Sequence, residues 1–190
     1  MTGLLSMLNP GWLLIAVGLG ALFLPVRRVR QGLTIAAPII AILLISVADR
    51  NVNLLTGHAL GIEMILYRVD NLSYIFGLAF LLAALLNAIY AWHTDDRLQD
   101  GMSIAYAGAA VAATFSGDMM TLFVFWELTA ITSVFLILRA GTRAAYFASM
   151  RYLGVQILSG VLLLAGIGYV YQSRGDLSIS AFTSLNEPGA

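Results

Sequence analysis

Between Asp118 and Arg139 the chain runs from Met119 to Leu138 with a single charged side chain, Glu127, close to the middle of the run. About 20 predominantly apolar residues are what a helix needs to cross the hydrocarbon of a bilayer. No water is available there to satisfy the backbone, so a run of this kind must pair its own N–H and C=O groups, which a helix does. A carboxylate at mid-bilayer depth costs on the order of +2.5 kcal/mol even on lenient insertion scales. A chain keeps such a group where a partner or a proton offsets the cost. Glu127 is therefore the first candidate for function, and a proton site is the chemistry it suits.

The rest of the chain has the same character. Hydrophobic residues make up 60% and charged residues 11%, against roughly 25% charged in a soluble domain. The reading is an all-α integral membrane protein, a single transmembrane domain over residues 1–190. Six helices are expected, at about 4–26, 33–48, 71–92, 102–116, 119–138 and 145–171, with 172–190 an outer tail or a connection onward. Helices four and five should form a tight hairpin through Ser116-Gly117-Asp118. Between helices two and three, Ala59 to Asp70 partly alternates and carries β-branched and aromatic residues, which predicts a short hairpin on the outer surface. The N-terminus lacks a charged n-region and a small-residue cleavage site, so its first apolar stretch reads as retained.

Orientation follows from the arginines, which cluster at Arg27, Arg28 and Arg30 and at Arg139 and Arg143. Positive loops lie on the cytoplasmic side. This makes a multi-pass protein of the cell (inner) membrane with both termini outside. The loop His93 to Asp100 falls on the cytoplasmic side too, although it carries three aspartates and one arginine.

Cysteine is absent, which excludes disulfides, thiolate chemistry and cysteine-ligated metals. Net charge is zero, so no basic face offers itself to nucleic acid. No Ser–His–Asp set, phosphate loop or metal-ligand spacing is present, and neither a cofactor nor a metal is expected. The chain reads as a transporter component rather than an enzyme, with lipid around it.

The other polar residues are weighed against Glu127. On a helical wheel its stripe is Phe123, Val124, Ala130, Ile131 and Val134, while Thr121, Thr129, Thr132 and Ser133 lie elsewhere, so its own helix offers it no partner. Arg151, about 10 Å into the sixth helix against about 16 Å for Glu127, either snorkels toward the carboxylate or reaches the headgroups. Gln156 carries a water chain or a helix–helix hydrogen bond, and Asn87 has the same two readings. Asp118 reads as the cap of the fifth helix, and His93 as a surface residue beside Trp92. Gly160, Gly166 and Gly168 permit close helix approach.

The segment Phe115 to Ile137, with Phe125-Trp126-Glu127 within it, resembles the most recognisable stretch of the antiporter-like family. That family includes the D-type subunit of Mrp multisubunit cation/proton antiporters and the large proton-pumping subunits of respiratory complex I. Val69-Asp70-Asn71-Leu72-Ser73, Met150-Arg151-Tyr152-Leu153 and Ser159-Gly160-Val161 with Leu162 to Gly166 carry the resemblance further. It implies that Glu127 matches a fifth-helix glutamate paired with a lysine on a broken seventh helix, and that Arg151 matches a basic residue common on helix six. Ser159-Gly160-Val161 stands where L-type and A-type relatives often have an aspartate, which favours the D, M or N types. Family members have about fourteen helices in two inverted repeats, and half of such a transporter cannot enclose a pathway alone. The resemblance thus implies a partial antiporter-like fold. It also implies other subunits of a membrane antiporter complex, a source of helices 7–14, and H+ with Na+ or another monovalent cation as cargo. A proton-pumping subunit of complex I or of a membrane-bound hydrogenase, or a purely structural subunit, are the competing expectations.

Overall fold

Asn9 accepts the Gly11 N–H at 2.9 Å, and Pro10 stands at the first helical position, where its missing N–H is no loss. These two residues open α1, Pro10–Phe23, in a computed structural model that describes residues 8–59 and 62–179. The expected start of the first helix near residue 4, the hairpin tip at Leu60-Gly61, and the tail from residue 180 lie outside the described residues. Next come α2 (Arg27–Ser46), β1 (Val52–Ala59), β2 (Ile62–Val69) and α3 (Asn71–Tyr90) with a 3-10 turn at Ala91–His93. They are followed by α4 (Arg97–Thr114), α5 (Met119–Leu138) and α6 (Arg143–Arg174). Four helical spans, Arg27–Ser46, Asn71–His93, Met119–Leu138 and Arg143–Arg174, are long and apolar enough to cross a membrane.

α4 differs from those four because it is walled in by protein. It packs on α1, α3 and α5, and its buried face is built from Gly101, Ala105, Gly108, Ala109 and Ala112 with Met102, Ile104 and Val111. Small residues let backbones touch, which is what binds helices where lipid removes the hydrophobic drive. The antiparallel α1–α4 seam shows it: a Cβ on Gly108 would stand 2.7 Å from Gly11 O and 2.7 Å from Ile15 N, and one on Gly18 2.6 Å from Gly101 O. Gly108→Ala should therefore cost about 1–3 kcal/mol through overpacking against backbone. Gly20→Ala, with open space around it, should be neutral or gain up to about 1 kcal/mol from helix propensity. Thermal unfolding of the two variants in detergent checks the contrast.

The hairpin is larger than the sequence reading of residues 59–70. Its strands pair antiparallel from Val52↔Val69 to Ala59↔Ile62, with irregularities on either side of Leu55. Gly57 sits inside β1 opposite Met64. The hairpin is also packed rather than free. Tyr67 and Val69 are buried, and Tyr67 meets Phe115 edge-on at 5.7 Å. Burial pushes the Tyr67 phenol up to about 12. Backbone bonds Arg68 N–H to Phe115 O and Gly117 N–H to Ile65 O, both 2.9 Å, tie β2 to the α4–α5 turn. Asn9 reaches Leu66 O at 3.2 Å. The residues after α6 return to the same place, Leu177 O accepting from Met119 N–H at 2.9 Å. The start of α1, the hairpin, the α4–α5 turn and the end of α6 thus share one end of the bundle.

Asp70 opens α3 through a reciprocal cap, Asp70 Oδ1 accepting from Ser73 N–H at 2.7 Å and Ser73 Oγ from Asp70 N–H at 2.9 Å. Burial alone would raise the carboxyl, but the bonds from Ser73 and the nearby Arg68 guanidinium hold it below its ordinary value of 3.8. A lowered folded value means that the stabilisation is complete above the ordinary value and disappears as pH falls through the folded one. Asp70→Ala should cost about 1 kcal/mol at neutral pH. In melts from about pH 6 to about pH 3, the gap to the parent protein should close.

The opposite end corrects the sequence reading twice. The arginines expected in a loop before residue 33 form the first turn of α2, and Asp100, expected in a loop, lies in the first turn of α4. Arg30 is 1% exposed and joins Asp95 at 2.5 Å and Asp100 at 2.8 Å. Arg139 pairs with Asp96, which also caps α4 by accepting from Gln99 N–H at 3.0 Å. The three aspartates are therefore counter-ions to Arg30 at the start of α2 and Arg139 at the end of α5. An acidic segment among basic ones follows from that pairing.

Candidate functional site

α5 is set in place by Asp118, which is 1% exposed. Its Oδ1 accepts from Met120 N–H at 2.9 Å and Thr121 N–H at 2.8 Å, and its Oδ2 from Thr121 Oγ1 and from Ile65 N–H, both at 2.6 Å. One carboxylate thus starts the helix and fixes it to the hairpin, and its negative charge suits the helix N-terminus. Every Asp118 oxygen is occupied in this role.

From that anchor Glu127 lies about 13 Å along α5, half-buried and facing α6. Oε1 is buried without a hydrogen-bond partner among the described residues. The group it rests on is Gly160, where a Cβ would stand 2.9 Å from Glu127 Cδ, 3.1 Å from Oε2 and closer still to Oε1. The α5 hydroxyls are committed elsewhere: Thr129 Oγ1 donates to Trp126 O at 2.6 Å and Thr132 Oγ1 to Leu128 O at 2.9 Å. Ser133 Oγ lies 3.0 Å from the Tyr152 hydroxyl and 2.7 Å from Ala130 O. A buried orphan oxygen costs about 1–3 kcal/mol, and more when charged. The arrangement is that of an acid with no counter-ion among the described residues.

Arg151 and Glu127 are not brought together. Arg151 is exposed, its Nε donates to Phe147 O at 3.3 Å, and among the described residues no ion pair joins it to Glu127. The reason is angular as well as axial. Residue 151 precedes residue 160 by nine positions, which is about 13 Å along the helix and about half a turn round it. With Gly160 turned to Glu127, Arg151 points to the far side. Depth alone is a poor guide to this pair.

Gln156 stands one turn before Gly160 and lines a groove of about 380 Å³ with Trp126, Thr129, Tyr106 and Tyr152. Asn87 lines an adjoining groove of about 370 Å³ that shares Phe80, Tyr106 and Ala110. The two amides therefore line neighbouring grooves on either side of Phe80, Tyr106 and Ala110. His93 ends the 3-10 turn, its Nδ1 2.7 Å from Tyr90 O and its ring edge-on to Tyr90, at the arginine end and away from Glu127.

Residues 116–189 match the family model described as "NADH:quinone oxidoreductase/Mrp antiporter, TM". The chain is 28% identical over 132 residues to the D-type subunit of the Na(+)/H(+) antiporter of Bacillus subtilis, covering 66% of this chain and 27% of that one. It is 27% identical over 136 residues to the N-type subunit of the NADH-quinone oxidoreductase of Paenibacillus sp., covering 66% and 26%. The chain is similar to the antiporter-like family. It spans about a quarter of the length of these curated relatives. A chain of the archaeal membrane-bound sulfane sulfur reductase has the same fold, with a TM-score of 0.72 at 20% identity over 94% of this chain and 40% of that one. The stretch matching the antiporter-like family contains Asp118, Glu127, Arg151, Gln156 and Gly160, whereas Asn87 and His93 lie before it.

Sequence reasoning assigned Gly160 to helix packing and overlooked its contact with the carboxyl. It also treated Arg30 as a loop charge. No signal in one sequence pairs Gly160 with Glu127, because their meeting depends on the register of α6 on α5.

Proposed function

We propose that this chain is the first six-helix part of a membrane subunit in a multisubunit monovalent cation/proton antiporter, in which Glu127 takes up and releases the proton. The observation that carries the reading is the Glu127 carboxyl itself, inside a membrane-spanning helix with a buried oxygen and no counter-ion among the described residues. Such a group is costly as structure and useful as a carrier of one proton. A basic residue from the remainder of the subunit, or from a neighbouring subunit, would set its affinity. The groove lined by Gln156, one helical turn before Gly160, would bring water near it. The side of the arginine network is read as cytoplasmic.

The likeness to an Na(+)/H(+) antiporter subunit supports antiport, and the likeness to an NADH-quinone oxidoreductase subunit supports coupling to electron transfer. Vesicles holding the assembled complex separate them. Antiport predicts proton movement on adding Na+ or K+ with no electron donor present. Proton movement only when an electron donor is supplied would overturn antiport in favour of a complex I-like role.

A further inference from the structure

The glycines of α6 do not behave alike. A Cβ on Gly154, Gly166 or Gly168 would meet nothing within 4 Å. At the α1–α4 seam a Cβ would strike backbone, as glycine does where two helices press together. At Gly160 the three nearest atoms all belong to one side chain, Oε1, Cδ and Oε2 of Glu127. The absent side chain makes room for a carboxyl, and the oxygen that fills the room is the one that is buried and without a partner.

We infer that Gly160 is a positioning residue for Glu127: by lacking a side chain it seats the carboxyl against the α6 backbone and seals Oε1 from water. The inference rests on Glu127 being the proton-exchanging group and adds how that group is held between exchanges. Among the described residues no donor reaches Oε1, and a buried oxygen without a donor has nothing to offset a negative charge. To give up its proton the carboxyl has to leave Gly160 for hydrogen-bonding groups. One helical turn before Gly160, Gln156 lines the groove that also holds Tyr106 from α4 and Tyr152 from α6. Arg151 is on the far side of α6, and Asp118 is fully engaged at its cap. Gly160 thus separates a closed position of the acid from an open one.

The test uses the assembled complex in vesicles with Gly160→Ala, Gly154→Ala and the double variant Glu127→Asp with Gly160→Ala. Gly154→Ala makes the same chemical change in the same helix and should leave transport unaltered. Gly160→Ala should lower it about tenfold, the scale of coupling between residues in contact. The double variant, whose shorter acid vacates the space the new methyl takes, should transport as Glu127→Asp does alone, with no added loss from the methyl. Infrared difference spectra, with the carboxyl band identified by its loss in Glu127→Gln, give a second readout. The band should sit at the frequency of an unbonded carboxyl C=O in the parent and move down in Gly160→Ala as water or Gln156 reaches it. Unchanged transport and an unmoved band in Gly160→Ala would overturn the inference. If Gly160→Ala does not assemble, assembly of the double variant supports it and failure of both overturns it. Full transport by Glu127→Gln is a different failure, that of the proton-site reading, and the band shift tests the seating of the carboxyl in either case.

Discussion

Arg30→Met should destabilise the protein by about 3–5 kcal/mol, the cost of leaving a buried charge without its partner. Arg30 is 1% exposed, and of its two carboxylates Asp95 has a 59% exposed side chain while that of Asp100 is 3% exposed. Removing the guanidinium lets Asp95 turn to water but strands Asp100 between helices. The double change Arg30→Met with Asp100→Leu removes both charges and should restore most of the loss, because apolar residues of similar volume often replace a buried ion pair without cost. The midpoint of thermal unfolding in detergent reads the effect. A single variant as stable as the parent would mean that the network is surface charge, screened and nearly free of consequence.

How far this could be read from the residues depends on the range of each interaction. The helical, membrane-spanning character and the β1–β2 hairpin are written in local periodicity. α5 has the bounds of the apolar run between Asp118 and Arg139, because a cap and a charge mark its ends. α2 begins at Arg27 rather than near residue 33, because three arginines read as a loop until their partners at Asp95 and Asp100 are known. Those partners lie 65 and 70 residues away along the chain. The glycine seam of α1 and α4 shows in the spacing of Gly11 and Gly18 and of Gly101 and Gly108, seven residues in each helix. Its meaning needs the antiparallel pairing of the two helices. Depth along a helix was legible for Arg151, but the direction it faces was not. That direction follows from which side of α6 meets α5, and the contact of Gly160 with Glu127 reveals it.

Glu127→Gln is the second large effect. Glutamine has the shape of the acid, so it should fit against Gly160, and assembly and unfolding temperature should stay near those of the parent. What it cannot do is exchange a proton. A positioned acid–base group contributes about a hundredfold or more to the step it serves, and cation-dependent proton movement should fall by at least that factor. Glu127→Asp keeps the chemistry with a shorter reach and should retain part of the rate. A structural role reverses this order, with Glu127→Gln tolerated and Glu127→Asp harmful through the space it leaves.

If the Glu127 carboxyl carries the proton, the residue at position 127 sets the cation-driven flux. Proton flux driven by a Na+ or K+ pulse is recorded in vesicles holding equal amounts of assembled complex with glutamate, aspartate or glutamine at position 127. The account predicts flux for glutamate, reduced flux for aspartate and none above background for glutamine. Flux with glutamine equal to that with glutamate would contradict it.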